Sequence, residues 1–455
     1  MRIDIFCESG SMYGLGHFYR CLKLALLCAK LPQIHTIILH NRGDFSPNLR
    51  TLLAQESIES VIKLHYDGQD WNNGERIQDL INNYASRQQK HHKQGQDHHK
   101  NHTLAICPFD IVIIDSYEAD SHIYTALAQN AQALICLDDT QRTIYPPRSI
   151  ILSSLPESYE FFSQERFAAC DYTLWCGEEY VILPTSSPMP WRLVDSSKQK
   201  TINTPESALE SSSPNSKNHL DSSANLALNP QCQAQKPPES TPNQIPESQT
   251  QLASGICQVF VSFGGVDREN YTQGFVDSLA QFMRDNSAKP TCYNSPESSI
   301  NSRDSSKLDS GWHFHIVLGG GYPHELDTNA LPAGSFSLYR NLSPAEFLAL
   351  ACLCDCAISA GGGSMLELLA LQVPSIIFKS AKNQHAQIIH WAVQGAIIHA
   401  KSLESIPTHL CMLLAPERLS AMRTLLGSLA LGTTLPLALN NLAQSLRNST
   451  NPSQK

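Results

Sequence analysis

The stretch Cys356-Ala-Ile-Ser-Ala-Gly-Gly-Gly-Ser-Met-Leu-Glu-Leu-Leu-Ala370 contains three consecutive features that indicate the fold. Its first four residues form a short apolar run, the three glycines predict a tight turn, and the residues from Ser364 onward begin a helix. Apolar residues that follow one another without alternation are typical of a parallel strand covered on both faces. Strand, turn and helix in this order are the repeating unit of a doubly wound α/β domain.

Similar apolar runs recur in two parts of the chain. They are Arg2–Cys7, Thr36–Leu39, Phe109–Ile114 and Ala133–Leu137 in the first part, and Gln258–Ser262, His313–Leu318, Cys356–Ser359 and Pro374–Phe378 in the second. We therefore predict an α/β protein with two Rossmann-like, doubly wound domains, residues 1–183 and 255–400, and a cleft between them. In such sheets ligands bind beyond the carboxyl ends of the strands, so the turns there are the candidate sites.

Polar segments interrupt this pattern. Residues 184–254 are dominated by Ser, Pro, Asn and Gln, a composition that buries too little apolar surface to offset the entropy of ordering, and they are predicted to be a disordered insert. Residues 285–311 form a shorter insert of the same kind, and residues 401–455 are predicted to be a helical segment with a frayed tail. The segment 87–102 carries five histidines and is either a solvated loop or an adventitious metal binder.

Composition excludes several classes of function. The 455 residues carry a net charge of −9, without the basic surface that nucleic acid requires, and no apolar run approaches the ~18 residues of a membrane-spanning helix. The acidic start of the chain is unlike a secretory signal, so we expect a cytoplasmic protein, and we expect a monomer. The spacing Cys352-x-Cys354-x-Cys356 differs from the zinc pattern and indicates buried, reduced cysteines.

The first candidate turn contains Gly14, Gly16 and His17, followed by Arg20. His17 should lie in the first turn of a helix, where the positive end of the helix dipole disfavours imidazolium. A neutral histidine in a cleft can act as a general base toward water, although a histidine that only packs against the loop fits the same pattern. Arg20 is either an ion-paired residue or an anion contact.

The second candidate turn is the triple glycine Gly361–Gly363 with Ser364 and Glu367. Its backbone and the following helix N-terminus suit a pyrophosphate, and Glu367 could accept hydrogen bonds from ribose hydroxyls. The alternative is structural, because Ser-x-x-Glu is also the spacing of a helix capping box.

Other strand ends add polar and glycine-rich turns. The second part of the chain has Gly264 and Gly265 after one strand and Gly319–Gly321 after another, which favours a nucleotide site in that part. In the first part, Asp115 and Tyr117 follow one strand and Asp138 and Asp139 the next, a set that favours a sugar pocket at the rim where His17 is expected.

Several motifs together resemble one family. They are Gly14-Leu-Gly-His-Phe-Tyr-Arg-Cys-Leu-Lys-Leu-Ala25, Ile114-Asp-Ser-Tyr117, Asp138-Asp139, Gly177-Glu-Glu-Tyr180, Val261-Ser-Phe-Gly-Gly-Val-Asp267, Ser359–Glu367 and Lys382-Asn-Gln384. In order and spacing this set resembles the UDP-sugar hydrolase of the pseudaminic acid pathway. The resemblance implies a two-domain GT-B fold and removal of UDP from UDP-2,4-diacetamido-2,4,6-trideoxy-β-L-altropyranose, without metal or other cofactor.

The resemblance also implies roles for single residues. His17 would be the catalytic base, with Tyr117 and Asn383 near the attacking water. The residues implied to bind substrate or UDP are Gly14, Gly16, Arg20, Asp115, Gly264, Gly265, Gly361, Gly362, Gly363, Ser364, Glu367 and Gln384.

The sequence departs from the family pattern at two places. Cys7-Glu-Ser-Gly-Ser11 stands where the family has an Arg and an Asp, and Pro184 stands where it has an Arg. These departures put the identity of the sugar in question more than the type of reaction. The alternatives are a GT-B glycosyltransferase with a UDP-sugar donor and a non-catalytic nucleotide-sugar binder.

Overall fold

The computed structural model describes residues 1–10, 15–43, 62–65, 77–79, 81–82, 108–141, 143–184, 256–285 and 311–450. The predictions for residues 87–102 and for Gly14 concern positions outside the described residues. The same holds for the two predicted inserts, apart from Pro184 in the first and Asp285 and Gly311 in the second.

A seven-stranded parallel sheet forms the first domain, with the spatial order β3-β2-β1-β4-β5-β6-β7. Its strands are β1 Arg2–Glu8, β2 Thr36–Arg42, β3 Ile62–His65, β4 Phe109–Asp115, β5 Ala131–Leu137, β6 Ile150–Ser153 and β7 Thr173–Cys176. The helices α1 Gly16–Ala29, α2 Ser121–Asn130 and α3 Pro156–Phe162 pack on this sheet, and residues 77–79 and 81–82 are also helical.

A six-stranded parallel sheet forms the second domain, in the order β10-β9-β8-β11-β12-β13. Its strands are β8 Cys257–Ser262, β9 Trp312–Leu318, β10 Phe336–Arg340, β11 Cys356–Ala360, β12 Ser375–Phe378 and β13 Ile398–Ala400. The helices are α4 Tyr271–Asp285, α5 Pro344–Cys352, α6 Gly363–Ala370, α7 His385–Val393, α8 Ile406–Leu413, α9 Pro416–Ser428 and α10 Leu435–Thr450. The predicted fold class is confirmed.

Both faces of the central strands are buried, as the uninterrupted apolar runs predicted. Ile5 of β1 packs in the core cluster that contains α1, whereas its neighbour Phe6 packs in a second cluster with Ile123 and Leu127 of α2. Successive side chains of a strand point to opposite faces, so helices on both faces are needed to cover them. The sheet is therefore the middle layer of three.

Five strands were not predicted, namely β3, β6, β7, β10 and β13. Each has only three to five residues. An apolar run this short does not distinguish a strand from a loop unless its neighbours in the sheet are known.

The last helix, α10, leaves the second domain and packs on the first. Leu435, Leu439 and Ala443 belong to the core cluster of the first sheet. The chain enters α10 through backbone hydrogen bonds, since the N–H of Gly432 donates to the Glu178 carbonyl at 2.9 Å and that of Thr434 to the Glu179 carbonyl at 3.0 Å. The two domains are thus joined by a second chain crossing at the C-terminal end of the described residues.

Among the described residues, no helix has the length and apolar character needed to cross a membrane. Cys354 and Cys356 of the predicted cysteine run are buried, and the Cys354 thiol donates to the Leu350 carbonyl at 3.3 Å. Across all the residues that the structure describes, no group of three or more His, Cys, Asp or Glu residues is arranged to hold a metal ion.

Two leucines of α10 provide a matched test of this docking. Leu439 is 2% exposed and Leu437 is 59% exposed. Leu439→Ala should lower the free energy of unfolding by about 2–5 kcal/mol, because it leaves a cavity in the core of the first domain. Leu437→Ala should change it by no more than about 0.5 kcal/mol. Urea unfolding of both variants checks this, and equal effects would contradict the docking of α10.

Candidate active site

A cavity of about 740 Å³ lies between the two domains at the carboxyl ends of both sheets. Most of the predicted site residues line it: Gly16, His17, Arg20, Tyr117, Gly264, Gly265, Gly361, Gly362, Gly363, Ser364, Glu367, Asn383 and Gln384. Of the predicted set, Gly14 lies outside the described residues, and Asp115 lies beneath the cavity wall.

His17 is the second residue of α1, as its position after the glycine turn predicted. Its Nδ1 lies 2.7 Å from Oδ1 of Asp115, the last residue of β4. An ionised carboxylate only accepts hydrogen bonds, so Nδ1 carries the proton and donates it to Asp115. In the neutral ring this tautomer has no proton on Nε2, and the side chain lines the cavity. The geometry therefore provides a base.

The carboxylate that orients His17 is ionised for a clear electrostatic reason. Asp115 is fully buried, and burial alone would raise its pKa, but the charge of Arg20 and the hydrogen bonds from Arg20 and His17 outweigh burial and hold the pKa of Asp115 well below its usual range. Because Asp115 has no exposure to the cavity, the predicted substrate contact is replaced by a positioning role. The sequence did not show that Asp115 is buried, so it could not distinguish a substrate contact from a positioning residue.

Arg20 uses its guanidinium on two carboxylates of the first domain. Its Nε donates to Asp115 Oδ2 at 2.8 Å, its Nη2 donates to Asp115 Oδ1 at 2.7 Å, and its Nη1 donates to Asp139. Planar bidentate pairing of this kind fixes the orientation of both partners. The ion-paired alternative thus describes Arg20 better than an anion contact, even though part of its side chain lines the cavity.

Tyr117 and Asn383 meet across the cleft. The Asn383 Nδ2 donates to the Tyr117 hydroxyl at 3.1 Å, and the Tyr117 ring packs edge-on against His17 with centroids 4.4 Å apart. Burial raises the pKa of Tyr117, so its hydroxyl stays protonated near neutral pH. The three residues to which the resemblance assigns catalytic roles, His17 and Tyr117 from the first domain and Asn383 from the second, therefore lie together.

Glu8 anchors the turn that carries Tyr117. It lies in the segment Cys7–Ser11, where the sequence departs from the family pattern, and it is buried, which raises its pKa. The Ser116 hydroxyl donates to Glu8 and accepts from the Ala119 N–H at 2.9 Å. A carboxylate is thus retained here, in a supporting position beneath the site.

Close backbone contacts require glycine in the turns of the second domain. A Cβ at Gly319 would lie 2.4 Å from the Gly265 carbonyl oxygen, so the loops after β8 and β9 pack backbone against backbone. A Cβ at Gly361 would lie 2.4 Å from Ile388 of α7. The glycines bring the loops after β8, β9 and β11 into one wall of the cavity.

The capping-box alternative for the triple-glycine turn is wrong. Gly362 is the N-cap of α6, and no side chain caps this helix end, because Ser364 already lies within the helix. The Glu367 carboxylate instead lies 2.5 Å from the Lys23 ammonium of α1, across the cleft. The first N–H groups of α6 thus have no side-chain cap, and they lie at the end of the helix that lines the cavity.

Gln384 closes the loop on which Asn383 lies. Its Oε1 accepts from the Ser380 N–H at 2.9 Å and from the Ala381 N–H at 3.3 Å. Its amide is therefore used in positioning Asn383, although the side chain also lines the cavity.

Lys23 and Gln387 also line the cavity and were not among the predicted site residues, whereas Asp139, which was predicted for the sugar pocket, lines it as well. Lys23 follows His17 and Arg20 at intervals of three residues, so the helical period places all three on one side of α1, a signal already present in the sequence. Gln387 is 8% exposed, and its Nε2 finds no acceptor among the described residues.

No protein-family model matches the sequence, and no curated protein matches it. Among solved structures, a putative UDP-N-acetylglucosamine 2-epimerase from Listeria monocytogenes is 10% identical and matches with a TM-score of 0.50, covering 100% of this chain and 97% of the other. MurG from Acinetobacter baumannii is 10% identical with a TM-score of 0.48, covering 98% and 100%. The glycosyltransferase SnogD from Streptomyces nogalater is 15% identical with a TM-score of 0.44, covering 97% and 99%.

These similarities concern the fold. The seven- and six-stranded parallel sheets, the cleft between them and the match to the epimerase structure together show the GT-B arrangement of two Rossmann-like domains.

The depressed pKa of Asp115 predicts a pH dependence of stability. The group stabilises the fold fully above its unfolded pKa of about 3.9, and this contribution is lost as pH falls below that value. The difference in unfolding free energy between the wild type and Asp115→Asn should therefore shrink at acid pH, by at most about 1.4 kcal/mol per pH unit. Urea unfolding between pH 3 and pH 7 measures it, with exposed Asp277→Asn as the control. A difference that does not depend on pH would contradict the depressed pKa.

Proposed function

We propose that this protein is a UDP-sugar hydrolase, with UDP-2,4-diacetamido-2,4,6-trideoxy-β-L-altropyranose as substrate and the free sugar and UDP as products. The observation that carries the reaction type is the Asp115–His17 pair, 2.7 Å apart, because it orients a histidine whose neutral ring can accept a proton at Nε2 and which lines the same cavity as the glycine turn of α6. The identity of the sugar rests on the sequence motifs that resemble the pseudaminic acid pathway hydrolase.

The substrate is expected to lie across both domains. The diphosphate would lie on the glycine turns, against the uncapped N-terminus of α6, where N–H groups and the helix dipole favour negative charge. Glu367 is near enough to this turn to accept from ribose hydroxyls. The sugar would then extend toward the first domain, with its anomeric carbon facing His17 and the Tyr117–Asn383 pair.

The reaction is a displacement at the anomeric carbon. His17 Nε2 takes a proton from a water held beside Tyr117 and Asn383, and the water oxygen forms the new bond to the anomeric carbon. The bond from that carbon to the β-phosphate oxygen breaks, and its electron pair leaves with UDP. Asp115 stabilises the imidazolium that results. Because one displacement occurs, the sugar is released first with inverted anomeric configuration.

Transfer to an acceptor hydroxyl is the second candidate function. The same base would deprotonate an alcohol as it deprotonates water, and the same diphosphate turn would hold the donor. The two functions differ in one requirement, since a glycosyltransferase releases UDP at its full rate only when an acceptor is present.

His17→Ala should lower kcat for UDP release by about 10²–10⁴-fold, the usual contribution of a general base. The matched control is His122→Ala, an exposed position on α2, which should keep the wild-type rate. Chromatography of UDP released from the purified protein and the UDP-sugar, with no acceptor added, measures both. An undiminished rate in His17→Ala would refute the assignment of the base.

Hydrolysis in ¹⁸O-labelled water identifies the bond that breaks. Attack at the anomeric carbon places the label in the free sugar, and NMR of the first product shows its anomeric configuration. Label in UDP would overturn the displacement at carbon. If UDP is released only after an acceptor is added, the glycosyltransferase is the correct function.

A further inference from the structure

Lys23 and Glu367 form an ion pair between the two domains. The Lys23 ammonium of α1 lies 2.5 Å from Oε1 of Glu367 on α6, and the side chains are only 15% and 10% exposed. Burying two charges removes most of their hydration, and this cost offsets much of their attraction, so such a pair is weak evidence for a stabilising role. Both residues line the cavity, where a ligand can reach them.

The Lys23 ammonium lies close to the N-terminus of α6, a helix end that favours negative charge. A Cβ built on Gly363, the first residue of α6, would lie 4.0 Å from Lys23 Nζ. The N-terminus of a helix carries about half a positive charge, which repels a cation and attracts an anion. Glu367 supplies the compensating negative charge in the free protein. An anion placed between the helix end and Lys23 would be favoured by both.

A second polar group in the cavity lining, the Gln387 amide, has an atom without a hydrogen-bond partner among the described residues. Gln387 is 8% exposed and lines the cavity, and its Nε2 has no acceptor within the described part of the chain. A buried donor without an acceptor costs free energy, which a bound ligand with acceptor oxygens would recover. This observation is independent of the helix end and of the ion pair, and it also indicates a ligand rich in oxygen.

We propose that Lys23 binds the diphosphate of the substrate by exchanging its partner. In the free protein its ammonium pairs with Glu367. When a nucleoside diphosphate occupies the glycine turn, the ammonium moves to the phosphate oxygens, and Glu367 is released to accept hydrogen bonds from the ribose. This inference rests on the proposed UDP site and names a ligand to the diphosphate that comes from the opposite domain.

The exchange has a chemical consequence for bond cleavage. When the anomeric C–O bond breaks, its electron pair remains on the diphosphate, which gains one unit of negative charge. His17 takes the proton of the attacking water, so no proton neutralises the leaving group. A cation already in contact with the diphosphate stabilises this charge as it develops. Lys23 would therefore affect kcat as well as affinity.

The test measures UDP and UMP binding by isothermal titration calorimetry to the wild type, Lys23→Met, Lys23→Arg and the control Lys30→Met. Lys30 is exposed at the C-terminal end of the same helix. We expect Lys23→Met to weaken UDP binding by about 10–100-fold, the loss of a charge-assisted hydrogen bond, and to weaken UMP binding far less. Lys23→Arg should restore part of the affinity for UDP, and Lys30→Met should match the wild type.

A purely structural role for the Lys23–Glu367 ion pair predicts a different UDP affinity for Lys23→Met. If the ion pair only holds the domains together, Lys23→Met frees Glu367 for the nucleotide, and UDP affinity stays the same or increases. That result would overturn the inference and leave the proposed hydrolase intact. Equal losses for UDP and UMP would also overturn it, since they place the defect away from the second phosphate.

Glu367→Gln separates this inference from the proposed function. It should reduce the preference for UDP over 2′-deoxy-UDP while Lys23 still distinguishes UDP from UMP. Lys23-dependent UDP binding without turnover of the UDP-sugar would refute the hydrolase and keep the phosphate contact. If the folded wild-type protein binds no UDP, both proposals are wrong.

Discussion

The buried carboxylate of Asp115 is the interaction on which the site depends. It accepts from His17 Nδ1 at 2.7 Å and from Arg20 at 2.7 and 2.8 Å, and without an ionised group there the guanidinium would be buried beside Asp139 alone. Burial opposes this ionisation, and the charge of Arg20 together with the hydrogen bonds from Arg20 and His17 outweighs burial. The tautomer of His17 and the fixed orientation of α1 both follow.

Strand order explains why Asp115 and His17 meet although they are 98 positions apart in the sequence. β1 and β4 are neighbours in the sheet, with Cys7 opposite Asp115, and α1 begins shortly after β1. The carboxyl end of β4 therefore lies beside the first turn of α1. The sequence analysis placed His17 at the positive end of the helix dipole of α1, and the structure adds the Asp115 carboxylate at its Nδ1, an electrostatic influence of opposite sign that acts at the same time.

The two domains share the site, so neither is complete alone. Tyr117 contacts Asn383 and Lys23 pairs with Glu367 across the cleft, while α10 returns from the second domain to the core of the first. The return of α10 limits how the domains can separate, because its leucines are buried in the first core. The polar contacts at the cleft are more easily exchanged, since they lie on the wall of a cavity that a ligand can fill.

The apolar runs of the sequence were sufficient to predict both Rossmann-like domains and the turns that line the cavity. The continuous apolar run Ile111–Ile114 of β4 has a local physical cause, the burial of both faces of a parallel strand. The short strands β6 and β13 were missed because four or three residues carry no period of their own. The capping box at Ser364 was wrong because spacing does not show where a helix begins.

The class of fold, the glycine turns and the position of His17 at a helix start were predictable from the amino-acid sequence, because each depends on residues close together in the chain. The burial of Asp115 beneath His17, the pairing of Arg20 with two carboxylates and the contact of Lys23 with Glu367 of the other domain were visible only in the folded chain. These pairings join positions far apart in the sequence, and they depend on strand order and on the packing of the two domains, which a single sequence does not encode in any local pattern.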